Sequence, residues 1–122
     1  MPWNYSQSTG IISRDGQSLT PAAYSGIGSG KNNPSAQSQA DIGPIPRGSW
    51  RIGAPFTHPH SGPYTMRLSP QPGTVTFGRS GFMIHGDSAE HPGDASNGCI
   101  ITGAHNRQRI WASGDHTIVV TP

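Results

Sequence analysis

Charge is scarce in this chain of 122 residues: Asp, Glu, Lys and Arg together make 11% of it, and the net charge is only +2. Coiled coils and charged disordered tails are excluded, because both need many more ionised side chains. The seven arginines and the single lysine, Lys31, never gather into a run. A nucleic-acid groove requires a basic stripe interleaved with aromatics, so no nucleic-acid partner is expected. No stretch approaches the ~18 apolar residues that cross a bilayer, and no membrane insertion is expected. The opening Met1-Pro2-Trp3-Asn4-Tyr5-Ser6 has neither the basic nor the apolar region of a Sec signal, so synthesis in the cytoplasm without one is the expectation. Cysteine occurs once, at Cys99, which excludes an intrachain disulfide and a multi-cysteine zinc ribbon. A lone thiol is either inert core or a nucleophile.

Glycine and proline, by contrast, are abundant: 17 and 12 residues, 29 of 122, against a usual combined share of about 12%. A helical bundle is improbable with so many breakers. The chain reads as one mainly β, loop-rich domain spanning residues 1–122, with enough length for one modest core. Trp3 to Ser8 alternates large and polar side chains, Thr9-Gly10 turns into Ile11-Ile12-Ser13, and Asp15-Gly16 makes the next turn, a β-meander. Further strands are predicted at Trp50–Ile52, Tyr64–Leu68, Thr74–Phe77, Phe82–Ile84 and His116–Thr121. Residues 25–49 read as an ordered surface loop with one short helix, capped by Asn33 and started by Pro34. The one good α-helix is Ala104–Ala112, with Thr102 as N-cap and Gly114 as stop.

Chemistry concentrates in two segments. Gly81-Phe82-Met83-Ile84-His85-Gly86-Asp87-Ser88 runs an apolar strand into a histidine. Ala95-Ser96-Asn97-Gly98-Cys99-Ile100-Ile101 places the cysteine after a polar turn and before a second apolar strand. A cysteine at an element end is accessible, and flanking backbone N–H groups are free to face a developing oxyanion. A thiol of pKa about 8.5 is mostly protonated at neutral pH and needs an adjacent base, for which His85 is the best candidate. The loop 86–96, containing Pro92-Gly93-Asp94, is long enough to let the two strand ends meet.

These two segments resemble the active-site signature of the L,D-transpeptidases, which act on bacterial peptidoglycan stem peptides. Gly43-Pro44-Ile45-Pro46-Arg47-Gly48-Ser49-Trp50-Arg51-Ile52 is similar to the stretch that precedes their catalytic half. Tyr24-Ser25-Gly26, Lys31-Asn32, Gly62-Pro63 and Gly78-Arg79 are similar to the antibacterial type VI secretion effector branch of that family. The resemblance spans roughly residues 3 to 120. It implies a compact β-sandwich or barrel with one or two short helices, and a cysteine-dependent acyl transfer that needs no metal or other cofactor. Cys99 is then the nucleophile, His85 its base, the Gly86 carbonyl the partner of the other imidazole nitrogen, and the Gly98 and Cys99 N–H groups the oxyanion donors.

The flanking residues keep two readings each. Asp87 orients His85 or binds a substrate amine, or else caps a turn. Ser96 and Asn97 shape their turn or reach substrate. Arg79 meets a stem-peptide carboxylate, or is a solvated arginine beside a strand. Tyr24 and Trp50 are core or pocket wall, and His58, His60, His91, His105 and His116 read as surface residues. The resemblance also implies stem peptides as substrate, a cognate immunity protein and a secretion-apparatus component as partners, and action in the periplasm of a target bacterium. The competing classes are a zinc-dependent peptidoglycan peptidase built on His85, Asp87 and another histidine, and a non-catalytic β-rich cell-wall-binding module.

Overall fold

The computed structural model describes all residues, 1–122. In chain order the elements are β1 (Trp3–Ser6), β2 (Ile12–Arg14), β3 (Gln17–Ser18), β4 (Tyr24–Ser25), β5 (Gly48–Ile52), β6 (Phe56–His58), β7 (Gly62–Pro70), β8 (Met83–His85), β9 (Ile100–Ile101), α1 (Ala104–Ala112) and β10 (Thr117–Thr121). The strands form one curled, half-barrel sheet in the order β3-β2-β1-β10-β5-β7-β8-β9-β4, with β6 paired to β7. The mainly β class expected from composition is thus the observed one.

Alternation explains the first half of the sheet. Trp3 and Tyr5 point inward and Asn4 outward along β1, while Trp50 and Ile52 point inward and Arg51 outward along β5. Ile118 and Val120 do the same on β10, which pairs parallel with β1 and antiparallel with β5. These inward residues join Ile12, Met66, Leu68, Phe82, Ile84, Ile100 and Ile110 in one core. Trp50 is fully buried and meets Phe82 edge to face at 5.0 Å, so its burial stabilises by about 2–3 kcal/mol.

The central parallel pair, β8 and β9, reads differently. Met83, Ile84, His85, Ile100 and Ile101 are all buried, because α1 packs on β7 and β8 and shields the other face. The helix buries only Asn106, Arg107 and Ile110, so polar anchors rather than an apolar stripe fasten it. Asn106 donates to the Thr20 carbonyl, and Arg107 donates to the carbonyls of Tyr64 and Thr102.

Several expectations are corrected. Residues 74–77 are not a strand: the Thr74 hydroxyl accepts from the Ser49 N–H and donates to the Ser49 carbonyl, replacing a backbone ladder, and Phe77 turns the chain at φ +56. The helix bounds 104–112 hold, but Gly103 is the cap and Thr102 instead accepts from Asn106 within the core. Asn33 does cap a short turn, a 3-10 helix over Pro34–Ala36, by accepting from Ser35 N–H. The loop 25–49 is only partly a surface loop, since Ala36, Gly43, Pro44, Ile45 and Pro46 are buried.

Candidate active site

The geometry of the site follows from the β8–β9 register. Ile84 lies opposite Ile100 and His85 opposite Ile101 in a parallel pair. Side chains alternate along a strand, so Cys99, two residues before Ile101, lies on the face His85 occupies. Both line one cleft of about 750 Å³. His85 is 6% exposed, and its Nδ1 is 2.8 Å from the Gly86 carbonyl. A carbonyl only accepts, so Nδ1 carries the proton and the Nε2 lone pair is left for chemistry. Burial pushes the imidazole pKa down, the Gly86 bond opposes this, and the Arg107 and His58 charges push further down. Burial pushes the Cys99 thiol up, against the Met83 backbone N–H and the Arg79 charge. At rest the cleft therefore holds a neutral imidazole and a protonated thiol, and that thiol donates to the Gly81 carbonyl at 3.7 Å.

The turn before Cys99 is built around a buried hydroxyl. Ser96 Oγ accepts from the N–H groups of Gly26 and Gly98 and donates to the Cys99 carbonyl. Gly98 sits at φ +132, where a Cβ would come within 2.6 Å of Arg79 and 2.8 Å of the Phe82 ring. Only glycine fits there. This corrects one expectation: the Gly98 N–H is taken by Ser96 and is not free to meet an oxyanion. The Cys99 N–H has no hydrogen-bond partner within the protein.

The other expected residues divide sharply. Asp87 accepts from Tyr24 Oη at 2.6 Å and from the Ser88 and Gly93 N–H groups, so it organises its own turn and makes no bond to His85. Burial raises its carboxyl, but these donors and Lys31 hold it below the usual range. Tyr24 also accepts from Ala95 N–H and braces the loop without lining the cleft. Burial and then Asp87 push its hydroxyl up to about 12. Ser96 is wholly buried, while Asn97 is exposed on the cleft wall. Arg79 is neither solvated nor a free fork. Its four terminal N–H groups donate to the carbonyls of Gln37, Gly43, Pro44 and Asn97, tying the 37–44 loop to the cysteine turn.

Other residues here carried no recognisable motif. Arg107, on α1, lies behind Gly86, where a Cβ would come within 2.7 Å of its guanidinium. Its charge acts on His85. His60 and Ser61 from the β6–β7 hairpin, and Asp41, Glu90, His91 and Asp94 from loops, also line the cleft. No period or spacing betrays loop residues that converge only in three dimensions.

Residues 20–120 match the family model described as the Tlde1 domain. The chain belongs to that family. It is the type VI secretion L,D-transpeptidase effector family to which the motifs point. Among solved structures, an L,D-transpeptidase from Mycobacterium smegmatis is similar in fold, with a TM-score of 0.52 at 18% identity. The likeness covers 98% of this chain and 58% of that one, so the chain spans little more than half of its length. No curated protein matches the chain.

Proposed function

We propose that the protein is a cysteine acyl transferase acting on peptidoglycan stem tetrapeptides, with Cys99 as nucleophile and His85 as base. One observation carries this reading: Cys99 and His85 share one face of the β8–β9 ends and one cleft, with Nδ1 held by Gly86 and Nε2 unoccupied. The thiol proton passes to Nε2 as sulfur attacks the carbonyl carbon of the third stem residue, forming a C–S bond. The Cys99 N–H receives the oxyanion, a contribution worth about 3 kcal/mol in comparable sites. Collapse breaks the C–N bond, and the terminal D-Ala amine leaves with the proton from Nε2. Water then attacks the thioester, passing its proton to Nε2, and the thiolate leaves and is reprotonated. This is L,D-carboxypeptidase chemistry; a D-amino acid or a neighbouring stem amine in place of water gives exchange or cross-linking.

A zinc peptidase is the weaker reading, since no three His, Cys, Asp or Glu side chains are grouped to hold a metal ion. As a member of the effector family, the protein is proposed to reach its substrate in the periplasm of a target cell through a secretion apparatus, with an immunity protein protecting the producer. Incubation with purified peptidoglycan fragments tests the chemistry by mass spectrometry. Loss of D-Ala, abolished by iodoacetamide and unaffected by EDTA, is the expected result. Inhibition by EDTA that zinc reverses overturns the cysteine mechanism.

A further inference from the structure

Gly98, at φ +132, has no side chain to restrict its ψ, so the peptide unit joining it to Cys99 can face either way unless something outside the turn holds it. Ser25, on β4, is placed to hold it. Its side chain is fully buried, at 0% exposure, and its Oγ donates to the Gly98 carbonyl at 2.9 Å. The direction of that hydroxyl is set: Oγ accepts from the Ile45 N–H at 2.9 Å, and its one proton goes to Gly98. The backbone of Ser25 is fixed in turn by pairing with Ile100 on β9 and by Asn32, whose Oδ1 accepts from the Ser25 N–H and whose own N–H donates to the Ser25 carbonyl.

A trans peptide is planar, with its carbonyl and its N–H on opposite sides. Turning the Gly98 carbonyl inward onto Ser25 therefore turns the Cys99 N–H outward. The flanking peptide groups are held separately, since Ser96 Oγ accepts from the Gly98 N–H at 3.0 Å and donates to the Cys99 carbonyl at 2.6 Å. The Cys99 N–H between them has no protein partner. Were the 98–99 peptide reversed, carbonyl lone pairs would stand where that N–H now points, and a developing oxyanion would meet repulsion.

Resting on the proposed acyl transfer at Cys99, we infer that Ser25 is a positioning residue for that reaction: its hydroxyl sets the 98–99 peptide so that the Cys99 N–H faces the oxyanion. Ser25 is no part of the cleft lining and acts from the far side of the peptide. Its effect is confined to steps in which a carbonyl oxygen gains charge, and the nucleophilicity of the sulfur does not depend on it.

Two small electrophiles that meet the same sulfur separate this role from a merely structural one. The ester p-nitrophenyl acetate acylates a thiol through a tetrahedral oxyanion: the C–S bond forms, the adduct collapses and p-nitrophenolate leaves. Iodoacetamide alkylates by displacement, the C–S bond forming as C–I breaks and iodide leaves, and no oxyanion develops. Both rates are read as adducts on the fragment containing Cys99, well below the Tm of each variant. In Ser25→Ala acylation should slow about thirtyfold, less than the roughly hundredfold or more that outright removal of an oxyanion donor costs, while alkylation keeps its rate. On a stem tetrapeptide kcat should fall with KM unchanged. Ser25→Thr and Ser25→Val carry the same test at matched volume should Ser25→Ala not fold: relative to alkylation, the variant that keeps a hydroxyl should acylate about tenfold faster or more. An acylation-to-alkylation ratio unchanged by Ser25→Ala, whether both rates persist or both fall together, or an equal ratio in the Thr and Val variants, overturns the inference and leaves Cys99 as nucleophile. An unsubstituted protein whose Cys99 is alkylated but acylated by neither the ester nor the tetrapeptide overturns the acyl transfer itself.

Discussion

From β1 across β10 to β5, four paired positions join each neighbouring strand to the next, whereas β8 meets β9, and β9 meets β4, through only two pairs each. What the second region lacks in ladder it makes up with side chains that donate to main-chain carbonyls: Arg79 to four of them, Arg107 to three, Ser25 to Gly98 and Ser96 to Cys99. A ladder spreads its load over many equivalent bonds and tolerates the loss of one. A carbonyl cluster held by one guanidinium does not, because removing it leaves several buried acceptors without donors. Stability therefore rests mainly with the first region and the geometry of the site with the second.

Substitutions in the two regions should therefore separate loss of stability from loss of activity. Trp50→Ala empties the largest buried position of the ladder region, and thermal or urea unfolding should show a loss of about 3–5 kcal/mol. Activity measured well below the new Tm should fall only in proportion to the folded fraction. Arg79→Ala should cost about 3 kcal/mol through its orphaned carbonyls, and here activity should fall well beyond the folded fraction, because the Asn97–Cys99 turn loses its tie. If the two variants lose activity in the same proportion to stability, the division of labour is wrong. Ser96→Ala should cost about 1–2 kcal/mol while reducing kcat at least as much as Arg79→Ala does, since its hydroxyl touches both Gly98 and Cys99.

The contrast also explains how much could be read from the sequence. Trp3–Ser6, Trp50–Ile52 and Thr117–Thr121 declare themselves by alternation, and the Asp15-Gly16 turn shows in positive φ at both residues. Ala104–Ala112 is legible because Gly114, at φ +79, ends it. Thr74–Phe77 alternates equally well but pairs with no strand, since one Thr74 hydroxyl answers both backbone groups of Ser49. That His85 and Cys99 line one cleft was legible from strand-to-turn punctuation on both segments. The task of Arg79 was not, because its partners are carbonyls of residues 37, 43, 44 and 97, and a carbonyl carries no residue type. The same blindness hid Arg107 and the carboxylates of the cleft, and it gave Gly98 an N–H role that the Ser96 hydroxyl had already filled.

A smaller effect concerns protons. Burial lowers the His85 pKa and raises that of Cys99, so the pair rests uncharged at neutral pH. Iodoacetamide should accordingly alkylate Cys99 at a rate that climbs through pH 6 to 9, without the acidic plateau of a preformed thiolate–imidazolium pair. The acid limb of kcat/KM, which reports loss of the neutral base, should fall below the ordinary histidine value of about 6.5. A plateau in alkylation from pH 5 upward would contradict the neutral resting pair.

The most direct measurement is the intact mass of the protein quenched in acid during turnover of a stem tetrapeptide. The expected result is a population heavier by the acyl tripeptide, with the added mass on the proteolytic fragment containing Cys99. The adduct should be missing from Cys99→Ala, and D-Ala release should vanish with it. Release of D-Ala by Cys99→Ala at the unsubstituted rate, or an acyl group on any other residue, would contradict the assignment of Cys99 as nucleophile.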